Sequence, residues 1–384
     1  MQQNLVTLVA LVLTFTILVV FHELGHFLAA KLFRMRVLEF AVGFGKRIAR
    51  LYKSGETEYN IRAFPLGGFV RIAGMEVEDA AEARLTGADT DPGARIETTN
   101  ERLIEQEASP VAGVDADGFN SRPLHQRFVV ILAGPVFSFL LGWMVYCLLI
   151  LVVGLPDKTQ FRVGGVVPHK PAATAGVQAG DVILTIDGRA VDFLGALTTI
   201  NKSTGVPLKL AVRGGDGHAR TLTVTPRPDR QPGEKVAVGR IGVTPDVEVL
   251  TYKRVGFGES IKEGTWATGQ WFAAMSRLIR SGAIKNSVGG PIAIVKSTSE
   301  AARHGSNELV EHLAQLSLSL GLMNLLPIPI LDGGHLMLML IELVRRKKLT
   351  AAQTGFVLTG GIIFIGLLSL VIAVKDIVGL FHHG

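Results

Sequence analysis

Apolar residues gather along the chain in four long runs, from about Leu5 to Val20, Phe128 to Leu155, Leu313 to Val344 and Phe356 to Val374. Each is close to or beyond the roughly 20 residues an α-helix needs to cross the hydrocarbon core of a bilayer. Pro327 and Pro329 interrupt the third, which predicts two helical halves around a break. The pattern predicts a polytopic α-helical membrane protein with about four transmembrane helices, at 1–34, 125–155, 307–344 and 353–376. No basic residue precedes the first run in MQQNL and no small-x-small site follows it, so it is expected to stay on the chain instead of being cleaved as a signal peptide.

Between the spans the period changes. In the loop 35–124, TEYNIRAFPLGGFVRIAG (57–74) alternates apolar and polar residues around Pro65-Leu66-Gly67-Gly68, which predicts a β-hairpin whose apolar residues dip into the membrane edge. Residues 75–121 are acidic and small with no core pattern, so a flexible segment is expected. From 160 to 230, short β runs with Gly/Asp punctuation and one helix near Leu194 to Lys202 predict a β-rich domain. Its stretch PAATAGVQAGDVILTIDG resembles a PDZ domain, and the resemblance implies that an extended peptide or protein C-terminus adds to a sheet edge. The peptide-facing backbone would then be Val163, Gly164, Gly165 and Val166; a β domain acting only as a spacer or steric filter is the alternative. Residues 250–300 set Trp266, Trp271 and Phe272 among Lys262, Arg277 and Arg280, a pattern that suits amphipathic helices at the membrane surface or, equally, packing helices of the soluble domain.

Composition agrees. Of 384 residues, 48% are hydrophobic, and the mean hydropathy of +0.37 is too high for an ordinary cytosolic protein. The lone cysteine, Cys147, excludes an intramolecular disulfide. The net charge of +6 is unevenly placed: Lys31, Arg34, Arg36, Lys46, Arg47, Arg50 and Lys53 follow the first span, and Arg345 to Lys348 follow the third. By the positive-inside rule both clusters face the cytoplasm, which puts both termini and the loop from about Pro156 to Ala301 on the other side. Lipid is an expected partner; nucleic acid is not.

One apolar span carries chemistry. In VVFHELGHFLAAKLF, His22 and His26 are one turn apart on the same helix face, with Glu23 beside them. H-E-x-x-H supplies two nitrogen ligands for zinc and a carboxylate to act on the attacking water. Ionisable groups within a span are costly and by default functional. A catalytic zinc takes a third protein ligand, and NLLPIPILDGGHL (324–336) offers Asp332 and His335, with Glu342 further on. Asp332 is favoured because it directly follows the proline break, a backbone irregularity tolerated at membrane depth where it lines a cavity. Gly134-Pro135 in the second span reads as a kink or close-packing point.

FHELGHFLAAKLF together with NLLPIPILDGGHL resembles the site-2 protease family of intramembrane zinc metalloproteases. TEYNIRAFPLGGFVRI, FNSRPLHQRFVVILAGPVFSFLLG and NSVGGPIAIV (286–295) resemble its bacterial regulator of sigma-E protease branch. The resemblance implies that Asp332 completes a site for one catalytic Zn²⁺ with His22 and His26, that Glu23 is catalytic, and that Asn324 handles substrate. It implies that Gly67, Gly68, Phe69, Val70 and Arg71 receive substrate as an extended strand. The implied activity is regulated intramembrane proteolysis, in a bacterial inner membrane, of single-span proteins already cut outside, such as anti-sigma factors or signal-peptide remnants. The best-known members carry tandem PDZ domains, whereas one is visible here, which leaves a two-domain substrate filter in doubt. The rival readings are a non-proteolytic zinc-binding scaffold with a PDZ module and a metal transporter. A structural site needs no Glu23, and a transporter would need several polar positions along its path.

Overall fold

The computed structural model describes residues 2–75, 117–230, 236–282 and 290–382. From the N-terminus come α1 (Gln2–Leu32), β1 (Val37–Ser54), β2 (Thr57–Ile72) and α2 (Leu124–Val153). There follow β3 (Leu155–Val166), α3 (Pro171–Thr174), β4 (Val182–Ile186), β5 (Arg189–Ala190), α4 (Phe193–Lys202), β6 (Leu208–Arg213) and β7 (Ala219–Val224). Then come β8 (Arg227–Asp229), β9 (Val238–Arg240), β10 (Val243–Lys253) and α5 (Phe257–Arg280). The last are α6 (Pro291–His304), α7 (Ser306–Asn324), α8 (Asp332–Arg345) and α9 (Ala351–His382). They divide into two compact units, Met1–Tyr146 with Gly289–Gly384, and Cys147–Val288.

The first unit is built from the apolar runs. By length and composition, two of its helical stretches can cross a membrane among the described residues, Leu8–Leu32 and Leu124–Val153, and the apolar stretch Gln353–Leu367 of α9 is shorter. The third run forms α7 and α8 with a tight irregular connection between them. Leu331 N–H donates to Ile328 O at 2.8 Å within it, and a Cβ on Gly334 would meet Ile328 O at 2.3 Å. Prolines that cannot continue α7 and glycines that admit the folded-back backbone thus set where α8 begins. Glu342 on α8 accepts from Arg127 Nη2 at 2.8 Å and from Leu349 N–H at 3.0 Å. That carboxylate is committed to holding α8 on α2.

β1 and β2 pair differently from the expected hairpin. Residues 57–74 do not close on themselves; their partner is β1, because Phe40 lies opposite both Val70 and Tyr59, and Ala41 opposite both Phe69 and Asn60. The start of β1 therefore lies between the two halves of β2, and the tight turn falls at Gly55 (φ 58) instead of at 65–68. The sheet runs along α1. Thr16 Oγ1 donates to Pro65 O at 2.7 Å, Phe27 packs edge-on against Phe40 and Tyr59, and Lys31 Nζ donates to Thr57 Oγ1 at 2.7 Å. Ala29, Ala30, Met35, Val37, Ile72, Val130, Ile131, Leu336 and Met339 form the core that joins α1, the sheet, α2 and α8. Of the segment expected to be flexible, 76–116 lies outside the described residues, but its end is built into this core: Phe119, in a 3₁₀ turn at Phe119–Ser121, is buried, and its N–H donates to Ala73 O at 2.7 Å. Its aromatic ring has apolar surface to bury, which the acidic residues before it lack.

The second unit is β-rich over a longer range than 160–230, since its sheet runs β10-β3-β4-β6-β7, with β5 beside β4. Residues 250–253, read as the start of an amphipathic helix, belong to β10. Asp187 (φ 49) and Gly188 (φ 78) make the turn between β4 and β5, the left-handed pair that a tight hairpin requires. The core gathers Phe161, Val163, Ile183, Ile186, Ile200, Leu210 and Val212. Below it Asp181 accepts two bonds from Arg220 Nη2 (2.9 and 2.7 Å). α5 approaches the end of α2 closely: a Cβ on Gly264 would lie 2.5 Å from Cys147 Sγ. Trp266 is exposed, so this helix both packs and presents an aromatic outward.

Ile183, fully buried, gives the unit a direct test. Ile183→Ala is expected to destabilise it by about 2–5 kcal/mol, read as a lower urea midpoint for proteolysis within 155–253 of the full-length chain in detergent.

Candidate metal centre

His22 and His26 leave the same face of α1, one turn apart, and both are buried. Their Nδ1 atoms are tied to α2. His26 Nδ1 lies 2.9 Å from Val130 O, and His22 Nδ1 lies 3.0 Å from Ser138 Oγ. A carbonyl can only accept, so the His26 ring proton sits on Nδ1 and its Nε2 keeps a lone pair. Asn324 Nδ2 donates to His22 Nε2 at 3.2 Å, which assigns that ring the same tautomer. Ser317 Oγ in turn donates to Ser138 O at 2.7 Å.

The two unprotonated Nε2 atoms face each other at 3.3 Å. Asp332 Oδ2, on the first residue of α8, lies 3.1 Å from His22 Nε2 and 3.5 Å from His26 Nε2. This oxygen is buried and makes no well-formed hydrogen bond. Three acceptors thus converge with no proton between them, an arrangement that calls for a cation. Ligands at about 2.0–2.1 Å around a tetrahedral zinc stand roughly 3.3 Å from each other, which is the spacing these atoms already have. His22, His26 and Asp332 are the group among the described residues able to hold a metal ion, and they fit zinc by geometry and donor type.

The structure separates the competing third ligands. Asp332 joins the histidines, Glu342 is engaged by Arg127, and His335 instead lines a cavity of about 270 Å³ with Arg127, Met339 and Lys348. Glu23 is partly exposed beside the histidines on α1. Asn324 closes α7 next to His22. Gly67 and Gly68 are buried, and a Cβ would meet Phe44 at 2.2 Å or Ala41 O at 2.6 Å; Phe69, Val70 and Arg71 follow them along the sheet. Val70 packs against the core that contains Ile72 and Leu336. Gly68–Ile72 pairs with β1 on one side, and among the described residues no strand pairs with its other side.

Val163–Val166 does not have the open edge expected of it. β3 is an interior strand: Val166 pairs with Val243 and Gly165 with Thr244 of β10. On the other side Val163 N–H donates to Asp181 O at 2.8 Å. The outer edges of this sheet belong to β10 and β7.

Sequence reasoning missed Ser138, Ser317 and the Val130 carbonyl. Polar residues inside apolar runs were the available signal for the serines; a backbone carbonyl has none. Gly134 also acquires a definite reason. A Cβ there would lie 2.2 Å from His26 Nε2 and 2.9 Å from His22 Cε1, so α2 can cross α1 at the histidines only with glycine at that point.

A zinc-fitting His-His-Asp cluster with an adjacent glutamate, set on long apolar helices, defines a metallopeptidase-type centre in a membrane protein. The family model for peptidase family M50 matches residues 10–368, and the chain belongs to that family. It is 32% identical to a probable protease Eep of Enterococcus faecalis, covering 97% of this chain and 98% of that one. It is 32% identical to a zinc metalloprotease RasP of Geobacillus kaustophilus and 30% identical to a regulator of sigma-W protease RasP of Bacillus subtilis, each covering 98% of this chain and 99% of the relative. A PDZ domain of an SdrC-like protein from Listeria innocua aligns over 26% of this chain and all of its own length at 22% identity, but its TM-score of 0.19 carries no structural weight. The protein is a membrane zinc metalloprotease of the site-2 type. The scaffold and transporter readings fall away.

Gly134→Ala is expected to displace His26 and weaken zinc binding about 10–100-fold, measured as zinc retained after dialysis against a chelator. Gly360→Ala, with open space around its Cβ position, should retain the metal.

Proposed function

We propose that this protease cuts single-span membrane proteins within the bilayer, after a first cut outside it, with one Zn²⁺ held by His22, His26 and Asp332. The convergence of two unprotonated imidazole nitrogens and one carboxylate oxygen carries the reading. Bound zinc supplies Lewis acidity and makes water acidic enough to ionise near neutral pH. Glu23 accepts the proton of the attacking water and delivers it to the leaving amine. Val130 and Ser138 keep the imidazoles in the tautomer whose Nε2 is free to ligate. Asn324 brings an amide donor to the same place, suited to an oxygen that gains negative charge in the transition state.

A transmembrane helix has its peptide groups bonded internally, and freeing them in lipid is costly. The edge of Gly68–Ile72 that no strand among the described residues pairs with offers the replacement bonds: an unwound substrate segment adds to it as a strand. Ile72 at its end belongs to the same core as Ala29 and Ala30 of α1 and Leu336 of α8, the helices that bear the proposed ligands.

The fold reading is a bundle of four transmembrane helices, the third broken between α7 and α8, in a bacterial inner membrane. The basic residues after α1 and α8 lie in the cytoplasm; the termini and the β-rich unit lie outside. The β-rich unit serves as a PDZ module that screens trimmed substrates, with β10 or β7 as the receiving edge in place of the covered β3. The sigma-W name of one relative favours an anti-sigma factor as substrate class.

Glu23→Gln is expected to keep its zinc and lose at least about 10²-fold in turnover, with uncut substrate trapped on co-expression; wild-type turnover would refute the assignment. Phe69→Pro or Arg71→Pro should remove an edge donor, leave zinc content intact and cut cleavage of a helical single-span substrate about tenfold or more. Unchanged cleavage would exclude strand addition.

A further inference from the structure

Glu39 in β1 is 2% exposed, a burial that an ionised carboxylate tolerates only with donors around it. Its Oε1 accepts from Asn60 Nδ2 at 2.7 Å and Arg62 Nε at 3.2 Å, and Arg62 Nη2 lies 2.9 Å from both carboxylate oxygens. Arg71 Nη2 lies 3.4 Å from Oε2. Asn60 and Arg62 belong to the first half of β2, whereas Arg71 belongs to the edge Gly68–Ile72, where it sits opposite Glu39. One carboxylate therefore reaches both flanks of the strand that carries it.

Arg62 extends the tie. Its Nη1 donates to Gly45 O at 2.9 Å, and its guanidinium lies 4.8 Å over the ring of Phe69, which is opposite Ala41 on the same edge. Glu58, also opposite Glu39, adds a second negative charge, but Arg47 and Arg50 donate to it at 2.9 and 3.4 Å. The fork around Glu39 thus keeps its two arginines to itself.

An edge that receives a strand must have its own register fixed beforehand, because a slip of one residue turns every side chain to the opposite face. Gly67 and Gly68 have no side chains with which to resist such a slip. Charge-assisted, two-pronged bonds fix a lateral position where an apolar contact would allow sliding. We propose that Glu39 is a positioning residue that holds Phe69 and Arg71, and with them the substrate-receiving edge, in register. The proposal rests on the strand-addition reading given above.

The test uses the full-length enzyme in detergent with Cys147→Ser, Val70→Cys and, for trapping, Glu23→Gln. The probe is a single-span model substrate with single cysteines stepped through its transmembrane segment. With Glu39 present, disulfide cross-linking to position 70 is expected at one substrate position. Glu39→Gln is expected to spread it over neighbouring positions. In the cleaving enzyme the same change should lower kcat/KM on the order of tenfold to a hundredfold with zinc content unchanged. Focused cross-linking and wild-type turnover in Glu39→Gln overturn the positioning role. No cross-link at any position with Glu39 intact overturns the strand-addition reading itself. If Glu39→Gln fails to fold, Arg62→Lys, which keeps the charge but loses the fork, decides by the same two readouts.

Discussion

Three electron-pair donors held face to face, His22 Nε2, His26 Nε2 and Asp332 Oδ2, repel one another unless a cation sits among them. Holding them there requires two helices far apart in sequence to be locked before the cation arrives. Much of the first unit serves that lock. Gly25 abuts Ala133 and Gly134 abuts the histidines, so α1 and α2 touch backbone to side chain with no room for a methyl group. Val130 and Ser138 fix the rings, Ser317 ties α7 to the Ser138 carbonyl, and Arg127 holds α8 through Glu342. In lipid, where burial of apolar area no longer drives helix association, small residues and buried polar bonds of this kind are what remains.

The same helix organises the sheet. Thr16 and Lys31 bond β2 on either side of the histidines in the α1 sequence, and Phe27 packs against Phe40 and Tyr59 between them. An edge strand is ordinarily an aggregation liability; here Gly68–Ile72 has one edge that no strand among the described residues covers, in the same unit as His22, His26 and Asp332. The polar fork around Glu39 stiffens that edge without occupying its outward hydrogen-bonding groups. The β-rich unit shows the converse. β3, which carries the Gly-Gly stretch, is covered on both sides by its own domain.

The legible parts of the site were those with local signals. Two histidines and a glutamate at helical spacing within an apolar run announce themselves, because periodicity is short-range and lipid penalises such residues unless they work. The proline break pointed to Asp332 for the same reason, yet could not by itself exclude His335, three residues further on. The helix at Phe193–Lys202 and the Asp187-Gly188 turn followed from local pattern. The pairing of Thr57–Ile72 did not: alternation says that a segment is a strand but not which strand it meets, and the nearer glycines drew the hairpin to the wrong place.

The sequence alone determined the class of the protein: apolar runs long enough for a membrane, a histidine pair at zinc-ligand spacing on one of them, and further candidate ligands after a broken helix. Those properties reside in residue type and spacing, which act within a few turns of chain. Tertiary structure alone decided which candidate meets the histidines, which carbonyl and hydroxyl orient them, why position 134 is glycine, and which strand β2 pairs with. Each is a contact between segments tens to hundreds of residues apart, and its existence depends on how whole helices and strands pack.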